Sequence, residues 1–315
     1  MNTPDKAVLV AKPWRGGLAN YLARALEERF PGRVTCLYTY PATRQDKVSY
    51  RLDKHAWRMR LVERIQQLDA DLVLFVNLLP EFSALQRKPS HVIWLTDDPT
   101  PVLAILEPFS QVYLSDPGYA ESVRHAVGER RFAGILPFAC QPDIHKSVTQ
   151  NKDPKGFCFI ANHDPKRDQV LHYLFTHGQR VHVYGNYFLR HALFWRYPSW
   201  FAPAVDNARM GDIYARHLAS LNIHADVVRE GTNMRTFECA AYAIAQLVEY
   251  RRGIEAYFSL TDELYVYHDE SELLDLMKHI EAFPDEARNR AARAHERVLS
   301  EHTYQRRIEQ LLLRL

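Results

Sequence analysis

"LNIHADVVREGTNMRTFECAAYAIAQLVEY", residues 221–250, reads as a strand, a polar turn, a helix and a second strand. "LNIH" is a short apolar run of the kind a buried strand uses. Thr232 and Asn233 are both good helix caps, so a helix is expected from about Asn233. "AQLVEY" then returns to an apolar run. Strands that are continuously apolar, with helices between them, belong in a parallel sheet covered on both faces.

The same rhythm extends in both directions. Upstream come "AVLVA" (7–11), the helical "GLANYLARALEERF", "RVTCLYTY", the helical "AWRMRLVERIQQLD", "ADLVLFVN" (70–77), "SHVIWLTD" (90–97), the helical "TPVLAILEPF" and "QVYLSD". Another helix, "YAESVRHAVG", and "FAGILPFAC" complete that half. "QPDIHKSVTQNKDPKG" (141–156) breaks the pattern, being polar with two prolines, and reads as a linker. "FCFIAN" (157–162), the helical "KRDQVLHYLFTHG" and "RVHVYGN" then restart it. The expected fold class is α/β, with two Rossmann-like parallel-sheet domains facing a cleft. Residues 1–142 form the first and 156–300 the second, joined by a linker at 143–155. A final helix at 301–315 carries Leu311, Leu312, Leu313 and Leu315 as its apolar contact. Ligands of such sheets bind at the C-terminal edges of the strands.

Composition narrows the function. The chain has 315 residues, 47% hydrophobic and 25% charged, with net charge +2. That is globular and gives no electrostatic reason to expect a nucleic-acid partner. Its four cysteines are widely spaced, as in a reduced protein without a disulfide framework or zinc site. No segment reaches the length of apolar sequence needed to span a bilayer. A cytoplasmic protein is expected, which leaves room for work at the inner membrane face.

Five stretches carry candidate chemistry. In the first, the helix start at Thr232 and Asn233 offers unpaired N–H groups and a positive dipole end to an anion such as a diphosphate. Arg235 in the first turn opposes that dipole unless an anion sits nearby. Glu238 could accept two vicinal hydroxyls, as on a ribose, and Glu230 could face the ligand. The alternative is an Arg235–Glu238 pair on a solvated face. In "IANHDPKRDQVLHYL" (160–174), Lys166 and Arg167 open a helix and suit a diphosphate, or else are surface charges. In "AKPWRGGLANYLARAL" (11–26), Arg15, Gly16 and Gly17 could contact a ligand, or the glycines could serve only a tight turn. In "WLTDDPTP" (94–101), Asp97 or Asp98 could be a general base, or cap the next helix. The aromatic–basic segment 184–205 is core in one reading and a membrane or sugar surface in the other. No metal-ligand cluster is evident.

The E-x7-E spacing of Glu230 and Glu238 resembles the motif of two-domain, GT-B type glycosyltransferases, and more closely their CgeB-like branch. "LNIH", "TNMRTFECAAY" (232–242), "YVYHDESELLDLMKHI" (265–280), "HTYQRRIEQLL" (302–312), "VIWLTDDP" (92–99) and "ILPFACQPDIH" (135–145) carry the resemblance. One departure is that Tyr242 and Ala243 stand where the branch usually has a glycine. The resemblance implies a glycosyltransferase moving a sugar from a nucleotide-diphosphate sugar to an acceptor hydroxyl. It further implies retention of configuration, no metal or cofactor, and a place in glycan or glycoconjugate synthesis at the cell surface. Donor binding falls to the C-terminal half and acceptor binding to the N-terminal half. Glu238 would hold the ribose, Glu230 would lie near the donor sugar, and Arg167 rather than Lys166 would be the basic residue of the phosphate loop. The last helix would pack back on the N-terminal domain. The rival readings are a sugar-nucleotide epimerase or hydrolase on the same fold, and a catalytically weak nucleotide-sugar-binding partner protein.

Overall fold

The structure is a computed structural model that describes residues 5–13, 17–151, 153–186 and 192–315. Contacts divide the chain into two units, Met1–Pro137 with Tyr304–Leu315, and Phe138–Thr303. Residues 143–155 therefore group with the second unit, and the chain passes between units twice.

The first unit is a six-stranded sheet in which every pairing is parallel. Its strands are β1 (Ala7–Ala11), β2 (Val34–Tyr38), β3 (Leu72–Val76), β4 (Lys88–Leu95), β5 (Phe109–Leu114) and β6 (Phe132–Ile135), in the order β2-β1-β3-β4-β5-β6. β1 and β3 are buried at every residue, the signature of strands covered on both faces. The connections include α1 (Leu18–Arg29), α2 (Arg44–Leu52), α3 (Lys54–Gln67) and α4 (Ala120–Val127). "TPVLAILEPF" yields a 3-10 helix over Thr100–Ile105 in place of an α-helix.

The second unit repeats the plan. Its strands are β7 (Phe157–Ile160), β8 (Val181–Tyr184), β9 (Phe201–Ala202), β10 (Ala219–Asn222), β11 (Ala245–Glu249) and β12 (Tyr265–Tyr267), all parallel, in the order β12-β11-β10-β7-β8-β9. The helices are α5 (Pro165–Thr176), α6 (Ala192–Arg196), α7 (Asn207–Tyr214), α8 (Met234–Ala241), α9 (Glu270–Ala282) and α10 (Pro284–Glu301). β7 begins this sheet, β8 and β9 build to one side of it, and β10 to β12 build to the other. The β7/β10 boundary is therefore the topological switch point, where the loops after adjacent strands diverge and open a crevice.

The charged tail of the sequence is two helices, α10 and then α11 (Tyr304–Leu312). α11 groups with the first unit and packs on α1, with the Tyr21 and Tyr304 rings 5.6 Å apart. Its buried side is Tyr304, Arg307, Ile308 and Leu311. Of the four terminal leucines expected to make that contact, only Leu311 is buried, and Leu313 and Leu315 are exposed. In the segment 184–205, residues 187–191 lie outside the described residues. Tyr197, Trp200 and Phe201 surround Phe175, so this part joins the core, while Trp195 stays exposed.

Ala243 follows the C-cap of α8 with φ +56°, in the left-handed region. This is the helix-end position that glycine usually fills, because a Cβ there crowds the following carbonyl. Ala243→Gly should therefore raise stability by about 1 kcal/mol. A denaturant midpoint unchanged or lowered by the substitution would show that the methyl's packing outweighs the backbone strain.

Candidate active site

The β7/β10 switch point gathers the predicted donor residues of the second unit. Asp164 caps α5 by accepting from the Lys166 amide, with Pro165 at the first turn, and this fixes the direction in which Lys166 and Arg167 leave the helix. The Arg167 side chain spans the crevice. Its Nε donates to the Ile223 carbonyl after β10 at 3.1 Å, and its Nη1 donates to the Asn162 carbonyl after β7 at 3.0 Å. Among the described residues Nη2 meets no acceptor, so that nitrogen is available to a ligand. Burial lowers the Arg167 pKa, Asp164 raises it, and Arg235 is close enough to lower it further.

Lys166 Nζ lies 2.5 Å from Glu249, the last residue of β11. Glu249 also pairs with Arg251 at 2.9 Å and accepts the His224 amide at 3.0 Å. The edge thus holds four cations, Lys166, Arg167, Arg235 and Arg251, against three carboxylates, Asp164, Glu238 and Glu249. The N-terminus of α8 adds to the positive side. It is capped by Asn233, whose Oδ1 accepts the Thr236 amide at 3.2 Å and whose Nδ2 donates to Asn222 at 2.7 Å. Thr232 hydrogen-bonds Thr236 and lies 3.1 Å from His224 Nε2. Backbone amides, guanidinium groups and an ammonium group at a strand edge are groups whose chemistry suits an anion.

His224 registers that field. It is fully buried, and its pKa falls to about 3, first through burial and then through Arg251, Lys166 and Arg167. The folded protein keeps it neutral, whereas the unfolded chain takes up a proton below about pH 6.5. Stability from this group is complete above that pH and is lost as pH falls toward 3, by roughly 5 kcal/mol over the whole window. His91 and His217, each lowered to about 4, act in the same direction. His224→Gln should flatten the acid limb of a stability–pH curve by one proton, and an unchanged slope would exclude His224 as its source.

Arg235 and Glu238 do form the i,i+3 pair, at 2.7 Å, but not on a solvated face. Glu238 is 1% exposed, and Arg235 is the member nearer solvent. Arg235 also reaches the Met210 sulfur at 3.3 Å. The penalty of a cation in the first turn of α8 is thus offset within the protein. His145 faces the other carboxylate oxygen at 3.6 Å. The Gln141 amide donates to His145 Nδ1, so the ring proton sits on Nε2, toward Glu238. Burial lowers the His145 pKa and Glu238 partly restores it.

Glu230 is exposed, in the loop before α8. That loop is pinned from behind, since Gly253 N donates to the Glu230 carbonyl at 2.6 Å. A Cβ on Gly253 would stand 2.5 Å from that oxygen, so only glycine permits the approach.

In the first unit, Asp97 and Asp98 follow β4 and differ in their bonding. Asp98 Oδ1 accepts the Thr100 amide at 2.9 Å, which is the turn-capping alternative. Asp97 Oδ2 accepts from Asn77 Nδ2 at 2.8 Å, and Asn77 also accepts the Thr96 amide at 2.7 Å. Local desolvation raises the Asp97 pKa against the pull of Lys12, although the residue as a whole is exposed. A carboxylate with a raised pKa, held by one amide, is suited to accept a proton. Gly17 is the extended residue before α1, and Arg15 and Gly16 lie outside the described residues.

The sequence alone does not single out Glu249, Arg251, His145 or Asn77. A carboxylate closing the apolar run "AQLVE" was the one available signal, because strand C-terminal ends carry function in parallel sheets. Among the described residues no group of three or more His, Cys, Asp or Glu could hold a metal ion. No helix among them is long and apolar enough to cross a membrane.

Residues 167–313, a little under half of the chain, match the family described as glycosyl transferase-like. No curated protein matches the chain significantly. Solved structures with the same fold include sucrose-phosphate synthase from Thermosynechococcus elongatus, at 12% identity and TM-score 0.68 over 97% of each chain. HepE from Anabaena, in complex with UDP, matches at 9% identity and TM-score 0.70 over 98% of this chain and 100% of its own. A glycosyltransferase involved in avilamycin A biosynthesis matches at 17% identity and TM-score 0.59 over 98% of each chain. The two parallel sheets are thus those of the GT-B fold. A glycosyl transferase-like segment is thus set in that fold.

Proposed function

We propose that the chain moves a sugar from a nucleotide-diphosphate sugar to an acceptor hydroxyl, with the donor held by the second unit. The observation that carries this reading is the meeting of Lys166, Arg167, Arg251 and the α8 N-terminus at the switch point of the second sheet. HepE has been solved with UDP and glucose, a ligand pair of the class such an edge would receive. In the reaction the bond from the anomeric carbon to the diphosphate oxygen breaks and the diphosphate departs with the electron pair. The acceptor oxygen then bonds that carbon and gives up its proton. Charge growing on the diphosphate is met by Arg167 and the α8 amides, without a metal ion in this reading. Glu238 accepts the ribose hydroxyls once the more exposed Arg235 side chain swings off it, and the freed guanidinium turns to the diphosphate. Glu230 lies by the donor sugar, and Asp97 is the first unit's own candidate proton acceptor. The E-x7-E spacing favours retention of configuration, and the products belong to cell-surface glycans or glycoconjugates.

A thermal-shift panel of nucleoside diphosphates and their sugars tests the donor site, because a ligand of the native state raises its melting point. One nucleotide family should stabilise the protein, and acceptor extracts should then release free diphosphate. The absence of any shift sinks the reading. Consumption of the donor without acceptor points to an epimerase or hydrolase, and binding without turnover to a nucleotide-sugar-binding partner protein.

A further inference from the structure

Helix α2 buries none of its residues. Its inward side is set by Tyr50, whose ring lies 5.0 Å from Tyr40 and 5.4 Å from Trp57, and by Asp46 and Ser49, which are half-buried. At 3.6 residues per turn, Lys47, Arg51, Arg44, Val48 and Leu52 succeed one another along one outward arc. Leu52 is 83% exposed and Val48 59%. Arg44, Lys47 and Arg51 are exposed and form no ion pair among the described residues. Lys54, also exposed, opens α3 and places its ammonium group over the Tyr50 ring, off the outward arc. The two acids of the stretch are already engaged, Asp46 with Thr43 and Asp53 as the cap of α3.

A single exposed leucine is ordinary on a protein surface. A Val–Leu pair one turn apart, flanked on the same arc by three uncompensated cations, is a more specific pattern. An aqueous polyanion would match the cations and leave Val48 and Leu52 in water. An apolar protein groove would cover those two and strip water from the cations. A bilayer with anionic headgroups answers both, since phosphates lie at the level of the cations and acyl chains just below. We infer that α2 is a membrane-contact helix that docks this chain on an anionic phospholipid bilayer. The inference stands on the first unit alone and does not depend on the donor-site reading.

Co-sedimentation with phosphatidylglycerol-containing and pure phosphatidylcholine vesicles tests it. The full chain should partition onto the anionic vesicles, weakly onto the neutral ones, and less in high salt. Lys47→Glu with Arg51→Glu should lower the anionic-vesicle partition coefficient by about tenfold or more, given roughly fivefold per basic residue at such a surface. Val48→Asp with Leu52→Asp should lower it by a similar factor and also abolish the residue bound in high salt. All four residues are exposed, so circular dichroism and melting point should stay at wild-type values. Trp195→Ser, at an exposed tryptophan of the second unit, should leave partitioning unchanged. The inference is overturned if the wild type stays in the supernatant with anionic vesicles. It is equally overturned if both α2 double variants sediment like wild type, or if Trp195→Ser alone removes binding.

Discussion

Arg167→Ala lowers kcat/KM for sugar transfer by about 10²–10³-fold, the usual effect of removing one preorganised donor from a developing charge. Two consequences of its geometry make this the most sensitive single position. The guanidinium ties the Ile223 carbonyl to the Asn162 carbonyl across the switch point, so its loss loosens both walls of the crevice. It also presents Nη2 where a diphosphate would sit. The structural part should cost about 2 kcal/mol of stability, since hydrogen bonds from a charged donor are lost on both sides. The catalytic part should appear in kcat as well as KM, because charge on the departing diphosphate peaks in the transition state. Arg167→Lys should recover less than about a tenth of the activity, because an ammonium group cannot bridge two carbonyls and face a third acceptor in one plane. Steady-state kinetics well below the variant's melting point separate the two parts. A kcat/KM within about threefold of wild type would remove Arg167 from the donor site.

The sheet strands were legible because burial on both faces leaves no room for polar residues. "AVLVA" is β1 to the residue, and "FCFIAN" contains β7, which ends two residues sooner, at Ile160. α2 was missed for the opposite reason, since a helix that buries nothing has no apolar run to betray it. β9 has two residues and no pattern to read. The site divides along the same line. Glu230, Asn233, Arg235 and Glu238 share one local stretch, so their spacing could be read directly. Glu249 meets Lys166 across 83 residues of sequence, and only the parallel register of β7, β10 and β11 brings them to one edge. The polarity of residues can be read locally, but their burial cannot. That is why the sequence leaves a solvated Arg235–Glu238 pair open, whereas Glu238 is 1% exposed and its carboxylate faces His145 as well as Arg235.

Glu238→Ala destabilises the protein by about 3–5 kcal/mol, as expected when one member of a buried ion pair is removed and the other keeps its charge. Arg235→Ala should cost at least as much, because Glu238 is the more deeply buried partner and would be left without its cation. Loss of nucleotide binding by either single variant is therefore ambiguous, since a loosened α8 would lose the ligand whatever Glu238 does. Replacing both residues resolves it. Arg235→Met with Glu238→Leu removes both charges and keeps the volume, and such replacements of buried pairs are often neutral or stabilising. The double variant should melt near wild type yet show no nucleotide-dependent shift, because it lacks both the carboxylate for the ribose hydroxyls and the Arg235 guanidinium for the diphosphate. Deoxyribose nucleotides provide the matching ligand change. They should stabilise the wild type less than their ribose counterparts, and the difference should vanish in the double variant. A double variant that is stable and still distinguishes ribose from deoxyribose would move the ribose contact to another residue and leave Glu238 as a structural counter-ion for Arg235.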